Sequence, residues 1–235
     1  MRKPGTDPKP GNGENRGPSP GTTPHLEQYY SKRASEYEQV YEKPERQHEL
    51  EWLRQRVPML FRGKTVLEVA CGTGYWTQYI ARTAKRVYAC DINESVLEIA
   101  RDKRIAPGRA EFFKADAVAL DAVPSGCNAA FAGFWWSHVK KSDLERFVAN
   151  LAARIEPGSV VGILDNNYVE GSSTAVSRRD AEGNTYQMRR LANGDHYEVL
   201  KNFPTAPELT HAVQSVARDA RLEELQYYWL LVFTL

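Results

Sequence analysis

Beyond residue 64 the chain alternates short apolar runs with stretches of helical periodicity. That pattern is expected of a parallel sheet covered on both faces. Strands are predicted over 65–70, 86–90, 110–114, 129–134 and 159–164, and a last one over 226–235, where aromatic and β-branched residues crowd together. Between the fourth and fifth, Leu144, Phe147, Val148, Leu151 and Ile155 share one helical face behind a Ser142/Glu145 capping box, and Pro157-Gly158 turns the chain. After the fifth, residues 173–202 read as two hairpins turning at Glu182-Gly183-Asn184 and Asn193-Gly194, an inserted β-meander. Thr205 and Glu208 form a second capping box, opening a helix that buries Leu209, Ala212, Val213 and Val216. Upstream, Tyr30, Ala34, Tyr37 and Tyr41 fall on one helical face. A second helix follows Pro44 with Leu50, Leu53 and Val57 inward, and Pro58 is expected to stop it.

Composition changes the picture only at the start. Residues 1–24 are almost wholly Pro, Gly, Thr, Asn and charge, too poor in apolar surface to offset their ordering entropy, and are expected to form a disordered tail. That leaves a single domain over 25–235, with 25–60 as a helical lid. The 31 basic and 30 acidic residues nearly cancel, leaving no field to gather nucleic acid or an anionic membrane. No apolar run approaches the roughly 18 residues of a membrane span, and the start lacks a signal peptide. Cys71, Cys90 and Cys127 lack metal or redox spacing and read as reduced thiols, so a cytoplasmic protein is expected. The five histidines show no ligand spacing either, and no metal is expected.

Chemistry concentrates where the first strand ends, in Glu68-Val69-Ala70-Cys71-Gly72-Thr73-Gly74-Tyr75-Trp76-Thr77. Glycines there let backbone approach a ligand, and the following helix offers free N–H groups to a polar one. Asp91 closes the second strand, where a carboxylate can accept from both hydroxyls of a ribose, so a nucleoside cofactor is expected. A nicotinamide-dependent oxidoreductase would use the same geometry, but its third glycine would fall at Thr77.

The segment resembles the first motif of class I S-adenosylmethionine-dependent methyltransferases of the small-molecule type. Glu68 stands ahead of the Cys71-Gly72-Thr73-Gly74 turn as that family's acidic residue does. The resemblance implies a Rossmann-like, mostly parallel seven-stranded sheet with helices on both faces, here with an N-terminal helical lid and the meander after strand 5. S-adenosylmethionine is then the cofactor, with Glu68, Ala70, Gly72, Gly74, Trp76, Asp91 and Ile92 around it. Phe112-Phe113-Lys114-Ala115-Asp116-Ala117 is similar to the family's third-strand motif, which gives Asp116 the adenine amino group with Ala117 beside it. The tyrosine-bearing first helix is similar to the family's lid, which brings Tyr30 and Tyr41 to the cofactor. Ala70 is a departure, since glycine is frequent at that position.

In an open α/β sheet the reaction lies beyond the carboxyl ends of the strands. The fourth strand runs into Phe134-Trp135-Trp136-Ser137-His138, and the fifth into Asp165-Asn166-Asn167-Tyr168. Phe134 is assigned to the cofactor, and Trp135 and Trp136 are read as flat walls for an acceptor. Asn166, Tyr168 and the meander's Tyr186 are read as its polar contacts. An unperturbed imidazole could take a proton near neutral pH, which makes His138 the candidate base. The expected activity is methyl transfer to N or O of a small aromatic or heterocyclic metabolite. A non-catalytic nucleoside-binding partner subunit is the reading from another class. Arg178, Arg179, Arg189 and Arg190 suit the meander to a flat, polar or anionic ligand, while its edges could instead pair across a two-fold axis in a homodimer.

Overall fold

The computed structural model describes Tyr29 and residues 33–235, so the tail expected over 1–24 and the lid residue Tyr30 lie outside the described residues. The first six strands in chain order are β1 (Thr65–Val69), β2 (Arg86–Asp91), β3 (Ala110–Lys114), β4 (Ala129–Gly133), β5 (Val160–Asn166) and the short β6 (Arg178–Arg179). Then come β7 (Thr185–Arg190), β8 (His196–Leu200), β9 (Arg218–Glu224) and β10 (Tyr228–Thr234). Seven of them form one sheet in the order β3-β2-β1-β4-β5-β10-β9, and β6-β7-β8 form a separate antiparallel meander. The first five sheet strands are parallel; β10 runs antiparallel to both β5 and β9.

Both faces of the sheet are buried, which is why its strands read as continuous apolar runs. On one side lie α1 (Gln47–Leu60), α2 (Thr77–Ile80) and α3 (Glu94–Arg101), whose Leu50, Leu53, Val57, Ile80 and Leu97 meet Val66, Val87 and Phe131. On the other lie α4 (Leu144–Ala152) and α5 (Ala206–Val213), whose Phe147, Leu151, Leu209 and Val213 meet Leu67, Val69 and Ala130. Each such Leu or Phe contributes roughly 1.5–3 kcal/mol by leaving water.

Several local expectations are corrected. The segment before α1 is a 3₁₀ helix over Ala34–Tyr41, so its side chains recur every three residues instead of on an α-helical face. Pro58 does not end α1, which continues to Leu60; so close to the terminus proline removes a single ladder bond, and Phe61 N–H still closes on the Pro58 carbonyl at 3.2 Å. The Ser142 capping box does not form, because Lys141–Asp143 is a 3₁₀ turn and α4 starts only at Leu144. The Thr205 box does form, with both reciprocal bonds to Glu208 present. Strand β9 was not foreseen: Arg-Asp-Ala-Arg-Leu-Glu-Glu has no apolar alternation, since it lies exposed at the sheet's outer margin.

Candidate active site

The strand order reverses between β1 and β4, and a ligand crevice opens beyond their carboxyl ends. Leaving β1, the chain passes through left-handed backbone at Ala70 (φ +51°), Gly72 (φ +55°) and Gly74 (φ +73°). Ala70 adopts the conformation that explains the family's frequent glycine there, at a steric cost of roughly 1–2 kcal/mol. Asp91 ties this turn to β2: its Oδ2 accepts from Gly72 N–H and its Oδ1 from Asn93 N–H, both at 2.9 Å. A carboxylate has about four acceptor sites, so these bonds are compatible with a ribose diol. A Cβ on Gly74 would come within 3.1 Å of Ala100 and 3.3 Å of the Phe112 ring, so this glycine seats the turn against α3. A Cβ on Gly72 would meet the Tyr37 ring at 2.8 Å, which places the N-terminal segment directly over the turn.

Two carboxylates test whether a nucleoside cofactor fits. Asp116 Oδ1 accepts from Val118 and Ala119 N–H at 2.7 and 3.0 Å and so caps its own turn, while its buried Oδ2 has no hydrogen-bond partner among the described residues. That orphaned acceptor suits an exocyclic amine, so Asp116 serves both as turn cap and as ligand candidate. Glu68 is also buried, with Oε2 unpartnered among the described residues, and burial pushes its carboxyl up to about 8, with Thr77 partly offsetting. Ile92 and Ala117 follow Asp91 and Asp116 at the ends of β2 and β3.

Above the turn the rings of Tyr41, Tyr75, Trp76, Phe134 and Tyr228 pack together, Tyr41 stacked on Tyr75 and edge-on to Phe134 at 5.5 Å. Phe134 leaves β4 at φ +60°, which swings the following residues away from the strand axis. Beside these rings a cleft is lined by Arg33, Tyr37, Lys43 and Arg46 from the N-terminal segment, Gln187, Arg189 and Lys201 from the meander side, and Phe134, His138, Asn166 and Phe203. The two covering elements touch where the Tyr29 and Tyr197 rings lie 5.7 Å apart.

The cleft is cationic. Arg46 is only 3 % exposed, and its recorded hydrogen bonds go to neutral oxygens: Ser172 Oγ at 3.0 Å, Asn166 Oδ1 at 3.1 Å and Ser173 Oγ at 3.5 Å. Lys43 donates to the Ser172 carbonyl, and burial followed by the charge of Arg46 holds its ammonium below its ordinary value. Lys201, in contrast, is matched: its Nζ lies 3.0 Å from Asp165 Oδ1 and 2.6 Å from Ser137 Oγ. His138 Nδ1 is 2.7 Å from the Leu200 carbonyl. A carbonyl only accepts, so Nδ1 carries the proton and the lone pair is on Nε2. Burial, then the Lys201 ammonium, depresses this imidazole to about 3, so it stays neutral at physiological pH.

Phe134, His138 and Asn166 thus meet in the cleft, whereas the two tryptophans do not. Trp136 packs edge-on to Phe147 and Trp229 in the core, and Trp135 is buried in the same cluster. Their flat surfaces are therefore not acceptor walls: the 3₁₀ turn over Trp136–His138 brings His138 to the cleft and sends the indoles inward. Tyr168 lies against Phe203 in a neighbouring depression, and Tyr186 is held on the outer meander by Asp180 and Arg178. Of the meander arginines Arg189 lines the cleft, while Arg178 pairs with Glu198. Lys43, Arg46 and Lys201 escaped the sequence reading because they belong to no motif. The one signal was Lys201 itself, a cation in the apolar run Val199-Leu200.

Residues 66–158 match a family model described as a methyltransferase domain. Among solved structures, DhpI in complex with SAH is 26% identical, the match covering 89% of this chain and 94% of that one with a TM-score of 0.69. DhpI in complex with SAM and HEP is 24% identical over 93% and 100% of the two chains, with a TM-score of 0.74. The CcbJ methyltransferase from Streptomyces caelestis is 15% identical over 77% and 87%, with a TM-score of 0.60. Comparison with curated protein sequences yields no match.

Proposed function

We propose that the chain works as a class I S-adenosylmethionine-dependent methyltransferase that delivers the methyl group to an oxygen of a small acidic metabolite held in the cleft. The observation that carries this reading is buried Arg46, whose recorded partners are all neutral, beside Lys43. The nearby carboxylate, Glu45, is exposed and reaches them through Ser172 at 2.6 Å, so it offsets buried Arg46 and half-buried Lys43 only in part, and a bound oxyanion would complete the match. Arg189 joins them from the meander, giving the cleft cations from both of its covering elements.

When bound, the cofactor would supply a sulfonium-activated methyl group, whose bond to sulfur breaks as a nucleophile attacks in line, the thioether S-adenosylhomocysteine being the leaving group. Asp91, Asp116 and the glycine turn would hold its nucleoside end, with Tyr41, Trp76 and Phe134 packed between there and the cleft. Arg46 and Lys43 would orient the acceptor, and such positioning lowers a barrier by roughly 7–11 kcal/mol in favourable cases. An acid is already deprotonated at neutral pH, so its oxygen attacks without a base; neutral His138, with its lone pair on Nε2, would then accept a hydrogen bond only from a hydroxyl or N–H elsewhere on the acceptor. Tyr37, Phe134 and Phe203 are the ring surfaces that would accompany a flat acceptor, in place of the two tryptophans.

A labelled-methyl assay over paired acids and their neutral amides tests the reading. Label should enter carboxylic, phosphonic or phosphoric acids and spare the amides. Methyl carboxylate esters would release label in alkali, and phosphonate or phosphate monoesters would retain it. Label entering neutral amines or phenols while all the acids stay blank overturns the proposal.

A further inference from the structure

We infer that Lys201 is a positioning residue through which the inserted meander sets the tautomer and orientation of His138. The argument begins at the end of β8, where Leu200, Lys201 and Asn202 leave the meander and dock on the turn that carries His138. Lys201 Nζ bonds Ser137 Oγ at 2.6 Å and Asp165 Oδ1 at 3.0 Å, with the lysine 7 % and the aspartate 0 % exposed at their side chains. Asp165 Oδ2 in turn accepts from Ser137 N–H at 2.9 Å, so a single carboxylate binds both the lysine and the backbone next to His138. Asn202 completes the dock: its N–H donates to the Ser137 carbonyl and its Nδ2 to the Val139 carbonyl, at 2.8 and 3.0 Å. Held from both sides, the Leu200 carbonyl presents its oxygen to His138 Nδ1 at 2.7 Å.

A backbone carbonyl can only accept, so its position dictates the tautomer. The pair Lys201–Asp165 therefore does more than stabilise a junction: it ties the presence of a docked meander to the chemical state of a cleft-lining imidazole. Buried ion pairs of this kind give little net stability against apolar replacement, which leaves positioning as the physical return on burying two charges.

The inference rests on His138 lying against the acceptor, but its test does not need an acceptor. Nitrogen-15 NMR of the full chain bound to S-adenosylhomocysteine reads the tautomer directly. The wild type should show one species protonated on Nδ1. Lys201→Met alone leaves Asp165 buried and unmatched and risks unfolding, so the deciding variant is Lys201→Met/Asp165→Asn, which removes both charges. It should keep cofactor-product affinity within about twofold while its His138 signals move to a mixture of tautomers. A wild-type imidazole protonated on Nε2, or a double variant that stays wholly Nδ1-protonated, overturns the inference. Titrating inorganic phosphate into the same wild-type sample separates the two readings. A phosphate-dependent shift of the Nε2 signal supports an oxyanion acceptor. Its absence, with the tautomer change intact, overturns that acceptor and leaves the role of Lys201 standing.

Discussion

The carboxylate of Glu38 accepts a hydrogen bond from the Thr73 hydroxyl at 2.7 Å, fastening the N-terminal 3₁₀ helix to the middle of the glycine turn. The same oxygen receives Lys103 Nζ at 2.5 Å, so the latch also reaches the chain just beyond α3. Since Tyr37 lies over Gly72, exchange of the cofactor requires this segment to lift. Glu38→Gln keeps the shape and weakens both bonds by about 1 kcal/mol in total. Dissociation of S-adenosylhomocysteine should therefore quicken roughly fivefold in stopped flow, with little change in melting temperature. An unchanged off-rate would mean that the latch is not what retains the cofactor.

Asp116 should separate into two roles. Asp116→Asn can retain the turn-capping oxygen while placing an amide donor where an acceptor now sits, so cofactor-product affinity should drop about tenfold at nearly constant stability. Asp116→Ala should lose the affinity and in addition about 0.5–2 kcal/mol of stability with the cap. Calorimetric titration and thermal melts on both variants decide it. Equal affinities would confine Asp116 to its turn.

Arg46→Gln should raise the acceptor KM by tenfold to a hundredfold, corresponding to about 1.5–3 kcal/mol for hydrogen bonds to a charged group, and leave cofactor affinity near wild type. The split between the two substrates is the readout. A parallel loss of both would show that Arg46 supports the fold around Tyr227 and Tyr228, over whose rings it also lies.

Glu68 carries a pH signature. Its folded-state value, about 8, lies above the ordinary 4.5, so the unfolded chain releases this proton first as pH rises. Between those values the stability due to this group falls by about 1.4 kcal/mol per pH unit, and it levels off above pH 8. Glu68→Gln abolishes the titration. Without cofactor, the melting temperature of the variant relative to wild type should climb from pH 5 to 8, and a constant difference would show that Glu68 is ionised throughout.

The parallel strands and the glycine turn could be read from residue order because local patterning determines them. Apolar runs mark buried strands, and Asp91 and Asp116 each stand at a strand's end. The acceptor side could not be read in this way. Lys43 and Arg46 are distant along the chain from Arg189 and Lys201, and the two pairs converge only when the meander folds back over the sheet. Trp135 and Trp136 misled for a related reason: a 3₁₀ turn assigns neighbours to opposite sides, and the left-handed Phe134 sets where that turn begins. Ser142 carried the right chemistry one residue too early.

Strand β9 places Arg218, Asp219, Arg221, Glu223 and Glu224 along the outer margin of the sheet, Asp219 at φ +50° and the ladder to β10 slipping between Val232 and Thr234. Arg56 of α1 grips Glu223 at 2.6 Å from the side. An outer strand so charged, bulged and tethered is a poor template for another molecule's backbone. It works as a terminator of sheet growth, opposing fibrillar association between copies of a chain whose inner strands β1, β4, β5 and β10 are rich in the residues that aggregate.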